Sequence, residues 1–216
     1  SLENKVYGLE NLSLIPGQVG AAPIQNIGAY GVELKDVFET LEAYQISSGN
    51  VVTMDAYDCG FGYRSSVFKS YEKGKYIITS VTFRLSRTPQ INIDYGDIKN
   101  TLLDKGIRNP TPMDISKAVI DIRTRKLPDP MALPNAGSFF KNPEIPRSEF
   151  ETLRESHPNL PGYPSTDSNK IKIAAGWLID SLGWKGFREN DVGVHKDQAL
   201  VLVNYGQATG QEIVDL

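Results

Sequence analysis

Cysteine is nearly missing from this 216-residue chain: Cys59 stands alone. No disulfide can form within the chain, and such usage fits a reducing compartment. Histidine is almost as scarce, with only His157 and His195. Two imidazoles and one thiol are too few for a His/Cys zinc site, so no metal is expected. A basic excess is also lacking, since 23 Lys and Arg stand against 26 Asp and Glu for a net charge of −3. That balance excludes a basic stripe for nucleic acid. No apolar run approaches the ~20 residues that cross a bilayer, and no leader peptide opens the sequence. The expectation is a cytoplasmic protein that handles small molecules, with neither nucleic acid nor membrane as a partner. Several motifs are absent too. There is no G-x-G-x-x-G before a helix, no Gly-Lys-Ser/Thr and no G-x-S-x-G, which removes the common dinucleotide, P-loop and serine-hydrolase readings.

What is present is ordinary in bulk, 40% hydrophobic and 23% charged, and long enough for one large or two modest cores. "LEAYQI" and "VVTM" flank "SSGN" as a β-hairpin, and "YIITSVTFRL" alternates as a strand. "INIDYGD" reads as a short strand entering a loop. Thr111-Pro112 opens a helix with Asp114 in its first turn, and Ile115, Ala118, Val119 and Ile122 form its buried stripe. "RTRKLPDPMALPN" then marks a domain boundary. Beyond it the sequence predicts a helix near 148–156, a proline-broken loop "HPNLPGYP", a helix near 170–182 with Gly183 as its C-cap, and a buried strand "ALVLVN". His195 is expected in the core. Largely antiparallel strands with segregated helices make the class α+β.

Both ends read as cut. The chain opens on Ser1, and Thr209 with Glu212 announces a capping-box helix whose apolar stripe has only begun at Ile213 and Leu216. The expectation is a fragment of a longer protein.

Four stretches could carry chemistry. Residues 8–31 hold Gly8, Gly17, Gly20, Gly28 and Gly31 with few charges, which reads as a buried loop approached closely by something. It is either a tight turn against a sheet or an N–H nest made by Gly17, Val19, Gly20, Ala21 and Ala22, suited to a pyrophosphate. In "CGFGYRSSVFK", Arg64 lies among Phe61, Tyr63 and Phe68. It is an exposed guanidinium, or one held near an apolar site to bind a carboxylate. Lys126 is a helix-dipole partner, or an ammonium aimed by the stiff Leu-Pro-Asp-Pro turn after it. In "NAGSFFKNP", Ser138 closes a turn, or it presents a hydroxyl from an aromatic platform. Lacking a triad, it could still protonate a strongly basic carbanion or enolate.

Together, "LSLIPGQVGAAPIQNIGAYGVEL", "FGYRSSVFK", "RKLPDP", "NAGSFFKNP" and "AAGWLID…VHKDQALVLVN" stand in the order and spacing of the UDP-N-acetylenolpyruvoylglucosamine reductase family, which the chain resembles from about residue 8 to its end. The "YGD" at 95–97 is similar to the subclass with a tyrosine loop over the substrate. The resemblance implies an α+β fold with a two-part FAD-binding domain, of which 1–127 would be the second subdomain (mostly antiparallel sheet with helices), followed by an α+β substrate-binding domain. It implies a monomer that uses FAD as cofactor and NADPH as co-substrate, acts on a UDP-sugar and serves peptidoglycan synthesis. Ile15, Gly17, Val19, Gly20, Ala21, Ala22, Ile27, Gly28 and Gly31 would line the flavin. Ser138 would protonate C2 of the enolpyruvyl group and Arg64 would steady the enolate. Tyr95, Lys126, Asn142 and Gln198 would contact the UDP-sugar, while Phe139 and Phe140 would fix the turn beneath Ser138. The family's catalytic glutamate, in a Gly-Glu-Val context, has no match in 1–216, and its first FAD subdomain would precede residue 1. The fragment is therefore expected to hold FAD weakly and not to turn over. Two other readings are a flavin oxidase of the same superfamily and a non-catalytic UDP-sugar-binding module.

Overall fold

A computed structural model describes residues 1–216, which divide into two compact units, Ser1–Arg123 and Thr124–Leu216. In the first unit, β1 (Gly28–Ala29) and β2 (Val32–Glu33) make a small antiparallel hairpin. A three-stranded antiparallel sheet follows, built from β3 (Phe38–Gln45), β4 (Asn50–Asp55) and β5 (Tyr76–Phe83) in the order β4-β3-β5. A four-residue helix, α1 (Ala56–Cys59), leaves β4 through an Asp55 cap. The sequence-predicted hairpin and strand are these three strands. The inner face of β3 places Leu41 and Ala43 over Leu34, Cys59, Val67 and Phe68. The alternation works because successive side chains of a strand point to opposite faces.

Helices α2 (Ile98–Asp104) and α3 (Pro112–Lys126) enclose the second core of this unit, and α3 runs on across the boundary between units. Ile115, Ala118, Val119 and Ile122 are all buried there, as their spacing predicts. Thr111 and Asp114 close the helix start, with the Asp114 carboxylate accepting from Thr111 N–H at 2.9 Å and Oγ1 at 2.6 Å. Residues 91–97 depart from the expected strand: they are irregular until a turn before α2. Asn11 explains why, because its Nδ2 donates to the Asn92 carbonyl (3.0 Å) and to the Tyr30 carbonyl (2.8 Å), so a side chain replaces strand pairing.

The second unit carries two sheets. One has the order β10-β11-β12-β6, from β6 (Asn135–Ser138), β10 (Arg188–Glu189), β11 (Val192–Val194) and β12 (Val201–Asn204). The other has the order β7-β9-β8, from β7 (Glu144–Pro146), β8 (Gly162–Pro164) and β9 (Lys170–Ile173). Helix α4 (Arg147–Ser156) buries Phe150 with Leu160, Ile171 and Ile173. Helix α5 is Ala175–Ser181, and α6 (Gly210–Asp215) carries the predicted Thr209/Glu212 capping box.

Two expectations are corrected here. The helix read over 170–182 is a strand followed by a shorter helix, because Ile171 and Ile173 are buried while Lys170 and Lys172 face outward, a period of two. Gly183 does follow that helix in a left-handed conformation, φ +76°. The loop "HPNLPGYP" contains β8, which tolerates Pro164 because it is an edge strand.

Candidate functional site

In the first unit the glycine-rich loop is only partly buried. Leu14 and Val19 are exposed, whereas Ala22, Pro23 and Asn26 are buried, so the expectation of a wholly buried loop is corrected. Gly17 has φ +106°, a conformation that L side chains rarely adopt. A 3-10 helix, Val19–Gln25, follows and ends at Asn26 in the left-handed region. Ala21 N–H already donates to the Gln18 carbonyl at 3.0 Å, which removes it from the nest of donors read from the sequence. Arg123 Nε donates to the Leu14 carbonyl at 3.1 Å, and burial holds its pKa below the usual arginine value.

Asn26 fastens the loop. Fully buried, it donates through Nδ2 to Glu33 Oε2 (3.1 Å) and the Gly62 carbonyl (3.0 Å), and its Oδ1 accepts from Lys35 N–H (3.0 Å). Ser66 Oγ adds a bond to the Ile24 carbonyl at 2.6 Å. The loop and the "FGYRSS" segment are thereby tied into one framework.

Arg64 sits at the tip of that framework. Its φ is +49°, held by reciprocal backbone bonds between Gly62 and Ser65. A non-glycine residue in that region is strained by about 1–3 kcal/mol, which the surrounding bonds must offset. The guanidinium donates from Nη1 to Glu33 Oε1 (3.1 Å) and the Asn26 carbonyl (3.5 Å), and from Nη2 to the Gly28 carbonyl. Its carbon lies 5.4 Å from the centroid of the Tyr63 ring. The expectation of an apolar surround is corrected: polar groups hold Arg64, while Phe61 and Phe68 turn into the core. Gly28 has no room for a side chain, since a Cβ there would stand 2.6 Å from Arg64 Nη1 and 3.0 Å from both the Val32 carbonyl oxygen and Glu33 Cγ. Tyr95 is exposed, but its segment abuts the same loop, with Tyr95 Cβ 3.4 Å from where a Cβ on Gly31 would lie. Ile15 and Ile27 are half-buried, Ala21 and Gly31 exposed.

In the second unit Ser138 is the last residue of β6, paired with Val201 at the sheet edge, and it is exposed. What orients it is Asn135. Oδ1 of that residue accepts from Gly137 N–H (2.9 Å), and Nδ2 donates to the carbonyls of Leu133 (2.7 Å) and Pro128 (3.3 Å). Gly137 has φ +72° and open space around it, so it is the conformation that calls for glycine. Phe139 and Phe140 do not pack beneath the serine. Both are about half exposed and touch each other edge to face at 5.1 Å, which corrects the platform expectation.

Asn142 is half-buried, and its Oδ1 accepts from Ala175 N–H at 3.0 Å, capping α5 from 33 residues away. Gln198 is half-buried in the turn between β11 and β12, its carbonyl accepting from Val201 N–H. His195 is half-buried rather than in the core, because it follows β11 at the start of the turn and its Nδ1 accepts from Asp197 N–H. Lys126 is the exposed last residue of α3. Glu33, Asn26 and Asn135 are the residues that sequence reasoning missed. Only an asparagine's tolerance of the left-handed region pointed toward Asn26.

Residues 129–216 match the model for the C-terminal domain of UDP-N-acetylenolpyruvoylglucosamine reductase. The chain is 54% identical over 215 residues to the protein of that name from Pseudomonas savastanoi, matching along its whole length and over 63% of that relative. Its identity to the Chromobacterium violaceum counterpart is 55% over 208 residues, which is 96% of this chain and 61% of the relative. Among solved structures, the Thermus caldophilus reductase superposes with a TM-score of 0.64 at 25% identity, over 99% of this chain and 59% of that one. The chain thus spans about three-fifths of the length of the proteins it matches.

Proposed function

Because the chain is a member of the UDP-N-acetylenolpyruvoylglucosamine reductase family over the length it spans, we propose that the whole protein reduces UDP-N-acetylglucosamine enolpyruvate to UDP-N-acetylmuramate for peptidoglycan synthesis. FAD would be its cofactor and NADPH the reductant. A bound flavin would supply the hydride to C3 of the enolpyruvyl ether, chemistry that no side chain can provide. The protein would be a cytoplasmic monomer. Residues 1–127 would complete the FAD-binding domain and 128–216 would bind substrate.

The observation that carries this reading is the seating of Arg64 on Gly28, which joins two motifs singled out separately in the sequence. The loop fits an elongated anionic cofactor. At Gly17 the backbone is open, with no atom within 4 Å of where a Cβ would lie, and Val19 and Gly20 begin a short helix with small neighbours. Ile15, Gly17, Val19, Gly20, Ala22, Ile27, Gly28 and Gly31 would lie along it. Arg64 would stabilise the charge that moves into the substrate carboxylate as C3 accepts hydride. Ser138, exposed at its sheet edge, would deliver the proton to C2. Hydride and proton then complete the saturation of one double bond. Tyr95, Lys126, Asn142 and Gln198 would hold the UDP-sugar.

The test is NADPH oxidation by the full-length protein, followed by absorbance with and without the enolpyruvyl substrate. The reading predicts oxidation that depends on the substrate and forms the lactyl ether. A protein that carries stoichiometric flavin, yet shows the same NADPH oxidation without substrate, would refute it.

A further inference from the structure

We infer that Glu33 is a positioning residue, which sets the Arg64 guanidinium so that one of its edges is left for a substrate carboxylate. This inference rests on the role proposed above for Arg64.

A guanidinium has five N–H donors. Here both on Nη1 are engaged, by Glu33 Oε1 at 3.1 Å and the Asn26 carbonyl at 3.5 Å, and one on Nη2 is engaged by the Gly28 carbonyl. The pair left over is Nε–H with the second Nη2–H. Those two hydrogens are parallel, and together they form the side-on fork that accepts a carboxylate bidentately. Holding the far end of the guanidinium therefore decides which edge meets the ligand.

Glu33 is suited to that work because its own position is fixed. Its Oε2 accepts from Asn26 Nδ2 at 3.1 Å and lies 3.2 Å from Lys35 Nζ. Its side chain also accepts a backbone N–H in a reciprocal capping box with Asp36. One oxygen is thus tied to buried Asn26 while the other is given to Arg64. The Glu33 side chain is 23% exposed and that of Arg64 28%, so water competes only in part for the pair. A lone lysine at 64 could not engage Glu33, Gly28 and a bidentate ligand at once.

The experiment uses the full-length, FAD-loaded protein and three variants: Glu33→Gln, which keeps the shape but removes the charge, Glu33→Asp, which keeps the charge on a shorter arm, and Arg64→Lys as control. Three quantities are read for each variant: flavin content, the single-turnover rates of the NADPH and substrate half-reactions, and the affinity of the oxidised protein for substrate by calorimetry. The inference predicts that Glu33→Gln slows the substrate half-reaction by about 10- to 100-fold. It should also weaken substrate binding at least fivefold, with the NADPH half-reaction and flavin content held within about twofold of the parent protein. Glu33→Asp should recover part of the loss. Unchanged substrate affinity and half-reaction in Glu33→Gln, with Arg64→Lys impaired, overturns this inference alone. Equal slowing of both half-reactions in Glu33→Gln, which marks a general loss of structure, also overturns it. An Arg64→Lys protein that is unimpaired overturns the role of Arg64 itself.

Discussion

Asn142 Oδ1 accepts the first backbone N–H of α5, from Ala175, at 3.0 Å. A residue proposed to touch the UDP-sugar is therefore also the cap of a helix. Its carbonyl oxygen is structural, whereas its amide nitrogen is the group that could reach a ligand. Asn142→Asp keeps the acceptor and places a negative charge at a helix start, so stability should hold within about 0.5 kcal/mol while substrate affinity falls. Asn142→Ala should lose both, with about 1 kcal/mol of stability. Urea unfolding beside substrate titration separates the two effects. Equal stability in all three proteins would remove the capping role.

Gly162 is pressed against Phe150. A Cβ on that glycine would stand 2.5 Å from the ring Cζ and 2.8 Å from Ile171 Cγ2. Gly162→Ala should destabilise by about 1–3 kcal/mol through overpacking. Adding Phe150→Leu should recover part of that loss, a non-additive pair in a double-mutant cycle. Additive effects in urea unfolding would contradict the contact.

Burial pushes the Cys59 thiol up from 9.0 to about 12, with the Asp58 and Asp55 carboxylates adding to the shift. The folded thiol keeps its proton where the unfolded one loses it, so this group's share of stability is complete below about pH 9. It declines as pH rises toward 12. At pH 8 an aromatic disulfide reagent should label Cys59 only after denaturant is added. Stoichiometric labelling of the native protein within seconds would contradict the burial.

At the start of α3, the side-chain and backbone hydrogen bonds from Thr111 hold the Asp114 carboxyl below the usual carboxylate range. A lowered folded pKa means that the contribution is present above the unfolded value and fades as pH falls through the folded one. Thr111→Ala should cost about 1 kcal/mol at pH 7. The difference between it and the parent should shrink in urea titrations near pH 2. A difference that is the same at both pH values would count against this cap.

The start and stripe of α3 were legible because each signal is local: Thr111, Pro112, Asp114 and four apolar residues one or two turns apart. Strand β9 was not, since four residues of alternating Lys and Ile merge in sequence with the helix that follows. Residues 91–97 look strand-like, and what denies them a partner is Asn11, 81 positions away from Asn92. The candidate site divides in the same way. Arg64, Gly28 and Ser138 stand in dense motifs, so they could be picked out by reading. Glu33 and Asn26 stand 31 and 38 positions from Arg64, and nothing in their own neighbourhoods announces the contacts that make them matter. Asn135 hides for another reason: its bonds are short-range, but they shape the turn before Ser138 without any change in hydrophobic pattern.

The proposed reaction turns on the Ser138 hydroxyl supplying the proton at C2, and rapid mixing of Ser138→Ala in the full-length, FAD-loaded protein tests that step most directly. The NADPH half-reaction should proceed within about twofold of the parent rate, while the substrate half-reaction falls by about 10²–10⁴-fold, the range for losing a positioned proton donor. A variant that completes the substrate half-reaction at the parent rate would contradict the claim.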